Sequence, residues 1–375
     1  MFFFRTIFIF LPLFVFLLVV AGFLLPTCRA LQCGNRARAA WAVVLLACFS
    51  KFACFRILGG DEFNPDLPAS VIWVWNWLYS GAMIFAFLAV AMFFLPVRVK
   101  AWLLPVLAWT LAAWGVYNGV KPPRLREIEI VCDGLPESLD GYRIVQLADI
   151  HVSSAARRWR TESVVAAANA ANADLIVCTG DIVDGPVALR EADVAPLAEV
   201  KAKDGVWFVT GNHEFYLDVN AWREAFARMG FKFLRNGCVF PREGLALGGL
   251  DDEAIFHFGA SDEVPEPEPS EVFAAATNGE FRILLQHRPE YFLQNVRELG
   301  VGLQLSGHTH GGVMPGFARL VACMNGGYVH GLYSHSDSNR ASSLYVSPGC
   351  GQWAGFPIRF FDDPEVSLII LRKSR

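Results

Sequence analysis

The sequence predicts an α/β domain with a substantial β-sheet core, preceded by an all-α region of about four membrane-spanning helices. Three observations carry this reading. Hydrophobic residues make up 54% of the 375-residue chain, and most of the excess falls before residue 120. After Lys121-Pro122-Pro123, short apolar runs alternate with helical patterns. Polar side chains of ligand type then recur just past one predicted strand after another.

The apolar third comes first. A bilayer core of about 30 Å needs about 20 apolar residues in helical form. Phe2–Leu25 supplies one such run, interrupted by Arg5, Thr6 and Pro12. It is too long for a signal-peptide core and ends without a small-x-small cleavage site, so it reads as a retained helix. Trp41–Ile57 is the second span, with Lys51 inside it; Val71–Leu95 is the third. The fourth runs from Trp102 to Tyr117 and can extend to Val120. Arg29, Arg36 and Arg38 lie between the first two spans, and Arg98 and Lys100 between the last two. Basic connectors stay in the cytoplasm, which puts both termini and the C-terminal domain outside. Lys121, Arg124 and Arg126 run against that assignment, although large domains can cross regardless of such charges.

In the remainder, Arg143–Ala148 reads as a strand followed by a helix around Thr161–Ala171. Asp174–Cys178 is the next strand, with a helix around Ala188–Lys201. Val206–Thr210 and a helix near Ala221–Met229 come third. Phe281–Gln286, a helix near Pro289–Leu299 and a strand at Gly302–Leu305 complete the alternation. Ser261–Ser270 is acidic and rich in proline, which makes it a surface loop.

A net charge of −4 argues against a protein that coats nucleic acid, which needs a basic surface. The nine cysteines are scattered and form no C-x-x-C pair, so they read as buried or free thiols.

The chemistry lies in the loops. Asp149 and His151 follow the first strand, and Gly180, Asp181 and Asp184 the second. Gly211-Asn212-His213-Glu214 follows the third, His287 ends the fourth, and Gly307-His308-Thr309-His310-Gly311-Gly312 follows the last. Loops at the carboxyl ends of strands converge on one crevice in α/β sheets. Singly, each histidine reads as a structural residue, and Asp184 and Asn212 as turn residues beside Gly185 and Gly211. Together they read as a metal site, because mixed carboxylate and imidazole ligation suits Zn, Mn or Fe. No G-x-S-x-G elbow and no P-loop is present. Glu214, Asp251, Asp252, His257, His330 and His335 are left as surface or supporting residues.

D-I-H, G-D-I-V-D, G-N-H-E, a lone histidine and G-H-T-H, in that order, resemble the motifs of the calcineurin-like metallophosphoesterases. The resemblance covers roughly Arg126 to the C-terminus. The tail Val346–Ile370 resembles the bacterial branch anchored by N-terminal transmembrane helices. The resemblance implies a sandwich of two β-sheets flanked by helices over residues 121–375, with residues 1–120 as the membrane region. It further implies two divalent metal ions, Mn, Zn or Fe. Asp149, His151, Asp181 and His310 would hold one; Asp181, shared, with Asn212, His287 and His308 would hold the other. His213 would protonate the leaving-group oxygen, and Asp184 would orient it. The implied activity is hydrolysis of a phosphate mono- or diester or a pyrophosphate. The anchor points to a lipid-borne or cell-envelope substrate at the bilayer.

Two other readings compete. A membrane sensor or scaffold could bind metal without turnover, but it has no need of the His213–Asp184 pair. A transporter needs a polar pathway, and the spans contain only Arg5, Lys51 and, at the end of the second, Arg56 as charges.

Overall fold

The computed structural model describes residues 34–92, 94–258, 269–277, 279–314, 317–336, 341–360 and 362–374, together with Phe14. The predicted span Phe2–Leu25, Phe14 apart, and most of Ser261–Ser270 therefore lie outside the described residues. The chain divides into two compact units. One comprises Met1–Val120 with Ala354–Ile358, and the other Lys121–Trp353 with Arg359–Arg375.

The first unit is helical: α1 (Asn35–Phe49), α2 (Lys51–Gly59), α3 (Ala69–Ala91) and α4 (Val97–Val120). Among the described residues, Ala69–Ala91 and Trp102–Val120 are the helices long and apolar enough to cross a membrane. They correspond to the third and fourth expected spans. The expected second span is not one straight helix. It breaks at Ser50 into α1 and α2, bent by 57°, and qualifies as a span only if the bent pair is taken together. Lys51 sits at the break. A buried amine must find oxygen partners, and Lys51, fully buried, donates to Asn76 Oδ1 at 2.6 Å and to the Gly355 carbonyl. The rings of Phe52 and Tyr79 lie 4.5 and 4.8 Å from its Nζ, within cation–π range.

The second unit is a two-sheet sandwich flanked by helices. One sheet runs β1 (Arg124–Cys132), β12 (Glu365–Lys373), β2 (Arg143–Leu147), β3 (Leu175–Cys178), β4 (Val206–Phe208), β5 (Lys232–Phe233). The other runs β10 (Gly331–Ser336), β11 (Ala341–Val346), β9 (Leu303–Ser306), β8 (Phe281–Leu285), β7 (Leu245–Gly249), β6 (Gly237–Arg242). Strand alternation decides which side chains face which layer. Ile144, Val177, Leu247, Ile283 and Leu305 fill the space between the sheets. Val145 and Ile176 turn the other way, under α5 (Arg158–Ala170), α6 (Val187–Val194) and α8 (Val219–Arg228), where Val164, Val194, Trp222 and Phe226 meet them. On the outer face of the second sheet, Phe292 and Val296 of α10 (Phe292–Leu299) pack on Leu344 and Val346.

The helix expected over Ala188–Lys201 stops at Val194. Pro196 cannot supply the amide hydrogen that continued α-helix needs, and the chain goes on as a 3₁₀ turn, Ala195–Glu199. What positions the site is strand direction. β2, β3 and β4 are mutually parallel, as are β7, β8 and β9. Each set delivers the loops at its carboxyl ends to one edge of its sheet.

Candidate metal centre

Each loop leaves its strand abruptly. Asp149, His151, Asp181, His308 and His310 all have positive φ, between 48° and 71°. They are five of the eight such non-glycine residues among those described. L-residues rarely adopt this conformation, and it concentrates where a site over-determines the backbone. Two glycines permit the crowding that results. A Cβ on Gly211 would lie 2.2 Å from Asp181 Oδ1, and one on Gly307 would lie 2.3 Å from Asp149 Oδ2.

The loops bring the expected residues into two adjoining clusters. Asp149, His151 and His310 form one; Asp181, His287 and His308 form the other. In the first, His151 Nε2 lies 3.2 Å from His310 Nε2, and His310 Nε2 lies 3.6 Å from Asp149 Oδ1. In the second, His287 Nε2 lies 3.1 Å from His308 Nδ1 and 3.2 Å from Asn212 Oδ1. Asp181 connects them. Its Oδ1 accepts the His213 amide hydrogen at 2.8 Å. Its Oδ2 lies 3.3 Å from His287 Nε2 and 3.8 Å from His151 Nε2.

The tautomers follow from the outer partners. His287 Nδ1 meets the Thr179 carbonyl at 2.7 Å; a carbonyl only accepts, so Nδ1 carries the hydrogen. Against the pull of burial, the Asp181 carboxylate pushes the ring's pKa up to about 10, so a proton or a cation fills the place where its Nε2 faces the oxygens of Asn212 and Asp181. His151 Nδ1 meets Asp184 Oδ1 at 3.1 Å, which leaves its Nε2 facing His310 and Asp181 in the same way. Lone pairs converging at hydrogen-bond distance repel unless a proton or a cation lies between them. His310 Nδ1 is also buried without a hydrogen-bond partner. Nitrogen and carboxylate oxygen donors gathered like this fit divalent cations of the Zn, Mn and Fe type.

The charges of the site balance one another. Burial pushes the Asp149 carboxyl up to about 6, against the pull of His287. Burial acts on Asp181 in the same sense, yet His287 and His213 hold it well below the usual carboxylate range. Three buried carboxylates, Asp149, Asp181 and Asp184, thus draw on positive charge within the site, whereas Glu214, pushed up to about 7 by burial and by Asp181, is held by backbone amides.

Asp184 does more than the sequence reading assigns to it. The same Oδ1 that meets His151 also meets His213 Nδ1, at 2.6 Å. One carboxylate oxygen therefore orients both an expected ligand and the expected acid. Around His213, the rings of Tyr216 and Trp353 stand with centroids 5.3 and 6.2 Å away.

Several supporting residues had no clear signal in the sequence. Glu214 is fully buried. Its Oε2 accepts from the amides of Asp181 and Gly211, at 3.0 and 2.7 Å, and its Oε1 from Ile182 at 2.8 Å. Asp252, also buried, accepts from Arg288 Nε at 2.8 Å, and Asp251 accepts from Thr210 Oγ1 and Arg235 Nε. Arg359 donates to the Gly351 carbonyl at 2.7 Å, and the Gly351 amide in turn donates to the Asp149 carbonyl at 2.8 Å. His330 does sit at the surface, 3.2 Å from Asp362. Glu214→Gln puts an amide N–H against a backbone donor, so one buried amide loses its acceptor. We expect a loss of about 1–3 kcal/mol, read as a fall of several degrees in melting temperature and as weaker metal retention. An unchanged melting curve and metal content would remove Glu214 from the account.

The profile of the calcineurin-like phosphoesterase family matches residues 142–312. A transmembrane protein with metallophosphoesterase domain from Danio rerio is 32% identical over 280 residues, 72% of this chain and 62% of its own length. An uncharacterized metallophosphoesterase from Helicobacter pylori is 30% identical over 258 residues, 68% of this chain and 66% of its own. The chain thus spans slightly less than two thirds of either relative. Relatives of this kind occur in a vertebrate as well as in bacteria, so the likeness is not confined to the bacterial branch. Among solved structures, the NAD nucleotidase of Haemophilus influenzae aligns with 56% of this chain and 45% of its own, at 15% identity and a TM-score of 0.40. That likeness is too distant to speak to activity.

Proposed function

The chain belongs to the calcineurin-like phosphoesterase family, and from that premise we propose that it is a membrane-anchored hydrolase of phosphate mono- or diesters or pyrophosphates, dependent on two divalent metal ions. The observation that carries the proposal is the approach of imidazole nitrogens from both clusters to the one oxygen Asp181 Oδ2.

In this reading Asp149, His151, Asp181 and His310 hold one ion, and Asp181, Asn212, His287 and His308 hold the other. Two such ions, when bound, polarise the phosphoryl group and lower the pKa of water beside them. The chain's own residues do the rest. The Thr179 carbonyl and Asp184 fix the tautomers that turn His287 and His151 inward. Glu214 holds the backbone that presents Asp181. His213, its Nδ1 on Asp184, directs Nε2 towards the reacting centre, where it donates a proton to the leaving-group oxygen. Tyr216 and Trp353 wall that side.

The test uses the full chain in detergent or nanodiscs. Ala354–Ile358 groups with the helices, so a chain cut at Lys121 would leave that segment without its partners. Protein stripped with a chelator should bind two equivalents of Mn, Zn or Fe and then hydrolyse a nitrophenyl phosphodiester or monoester. Metal uptake without turnover on a broad phosphoester panel would make the domain a binding module instead. The loop charges support an extracytoplasmic domain. A protease that cleaves it only after the cells are opened would put it in the cytoplasm.

A further inference from the structure

In α8 and α10 most large apolar side chains turn inward: Trp222 and Phe226 are buried, as are Phe292 and Leu299, with Leu293 the exposed exception. Helix α11 (Phe317–Met324) does the reverse, and none of its residues is buried. Phe317, Leu320 and Met324, at spacings of three and four, share one face; they are 44%, 54% and 49% exposed. Leu332, on strand β10 at the sheet edge, is 45% exposed. The small residues take the other side. Ala318 sits so close to Gly312 that a Cβ on the glycine would lie 2.8 Å from Ala318 Cβ. Through this contact α11 is seated on the loop that carries His308 and His310.

Exposed apolar residues scattered singly need no partner, but a helical face of them does. Two observations point to the occupant. Between Val313 and Ser336 there is no Asp or Glu, although the chain has 36 acidic residues, and Arg319 carries the one full charge there. An apolar face with a basic flank and no acid suits an anionic lipid surface. The chain also ties this unit to the membrane helices by a short link. α4 ends at Val120 and β1 begins at Arg124, a link of at most about 15 Å of extended chain.

We propose that α11, with Leu332, is a lipid-surface contact that admits to the metal loop a phosphoester carried on an acyl or isoprenoid chain in the bilayer. The substrate class rests on the phosphoesterase reading above; the contact does not. The experiment has two arms, both on the full chain in vesicles of phosphatidylcholine and phosphatidylglycerol. In the first, a spin label replaces Leu320 (Leu320→Cys in a chain whose other label-reactive cysteines are removed, by Cys54→Ser, Cys238→Ser and Cys323→Ser among others). Oxygen should collide with it far more than a water-soluble nickel reagent does. Collisions matching those of a label at exposed Arg158 would leave the face in water and overturn the contact. Dipolar broadening between labels would assign the face to a second copy and overturn it as well. In the second arm, Leu320→Glu with Met324→Glu is compared with the unmodified chain. Burial of one such side chain is worth about tenfold or more, so turnover of a lipid-borne phosphate should fall at least that far while a soluble nitrophenyl phosphate is unaffected. Equal loss on both substrates would overturn the substrate assignment. If the unmodified chain hydrolyses neither, the phosphoesterase reading fails, and the spin label still decides the contact.

Discussion

Asp181→Asn is expected to remove most of the bound metal and nearly all turnover together. The substitution keeps the shape and deletes the charge. Among the described residues, Asp181 Oδ2 is the carboxylate oxygen that approaches imidazole nitrogens of both clusters, at 3.3 Å from His287 and 3.8 Å from His151. Two divalent cations held side by side repel, and a shared anion between them offsets that repulsion. An amide there offers a dipole, and if its NH₂ turns inward it offers a donor where a cation needs an acceptor oxygen. Removing groups that merely support metal ligands costs about 10–100-fold, so loss of the shared ligand should cost about a hundredfold or more. Metal analysis after gel filtration, with turnover on a nitrophenyl diester, is the measurement. Two retained ions and near-normal turnover would show that the ligand assignment is wrong. Fold loss is controlled by circular dichroism, since Oδ1 also accepts the His213 amide at 2.8 Å.

The second large effect separates proton transfer from metal binding. His213→Ala should keep both metals and the fold, yet lose about 10²–10⁴-fold on alkyl phosphoesters, the usual worth of general acid catalysis. Nitrophenyl esters should suffer less, because their leaving groups depart without a proton. Equal losses on both, with one metal gone, would make His213 a ligand. That alternative has a geometric basis, since His151, Asp184 and His213 also form a cluster able to hold an ion. The sequence alone would lead one to expect Asp184→Asn to reproduce His213→Ala in milder form. The structure changes this expectation. Because Asp184 Oδ1 serves His151 and His213 alike, Asp184→Asn should lose metal affinity at the first cluster as well as the leaving-group dependence. A variant with normal metal content would mean that His151 keeps its orientation without the carboxylate.

The sequence showed some elements and hid others for physical reasons. β2, β3, β8 and β9 were legible because both faces are covered, which makes them short continuous apolar runs. β1, with Arg124, Arg126, Glu127 and Glu129 among its first six residues, looks like surface chain. It becomes a strand by pairing with β12, 241 positions along the chain (Arg124↔Glu365). The helix face of α11 was missed because an amphipathic pattern ordinarily signals an inward apolar side, and here the apolar side turns out.

What the sequence determined by itself was the set of chemical groups and their order: D-x-H, G-D, G-N-H, a lone histidine and G-H-T-H, each just beyond a strand. Short-range chemistry writes those pairings of strand and loop into contiguous residues. Which atom of each residue faces which was decided only by tertiary structure. Asp181 Oδ1 is taken up by a backbone amide, which leaves Oδ2 for the two clusters. His287 is turned by a carbonyl 108 residues away, and two histidines 62 positions apart share one oxygen of Asp184. Glu214, next to the candidate acid in sequence, ends up behind Asp181 as its backbone support. Hydrogen-bond direction and tautomer depend on partners that only the folded sheets bring within 3 Å or so, so no reading of the linear chain could have assigned them.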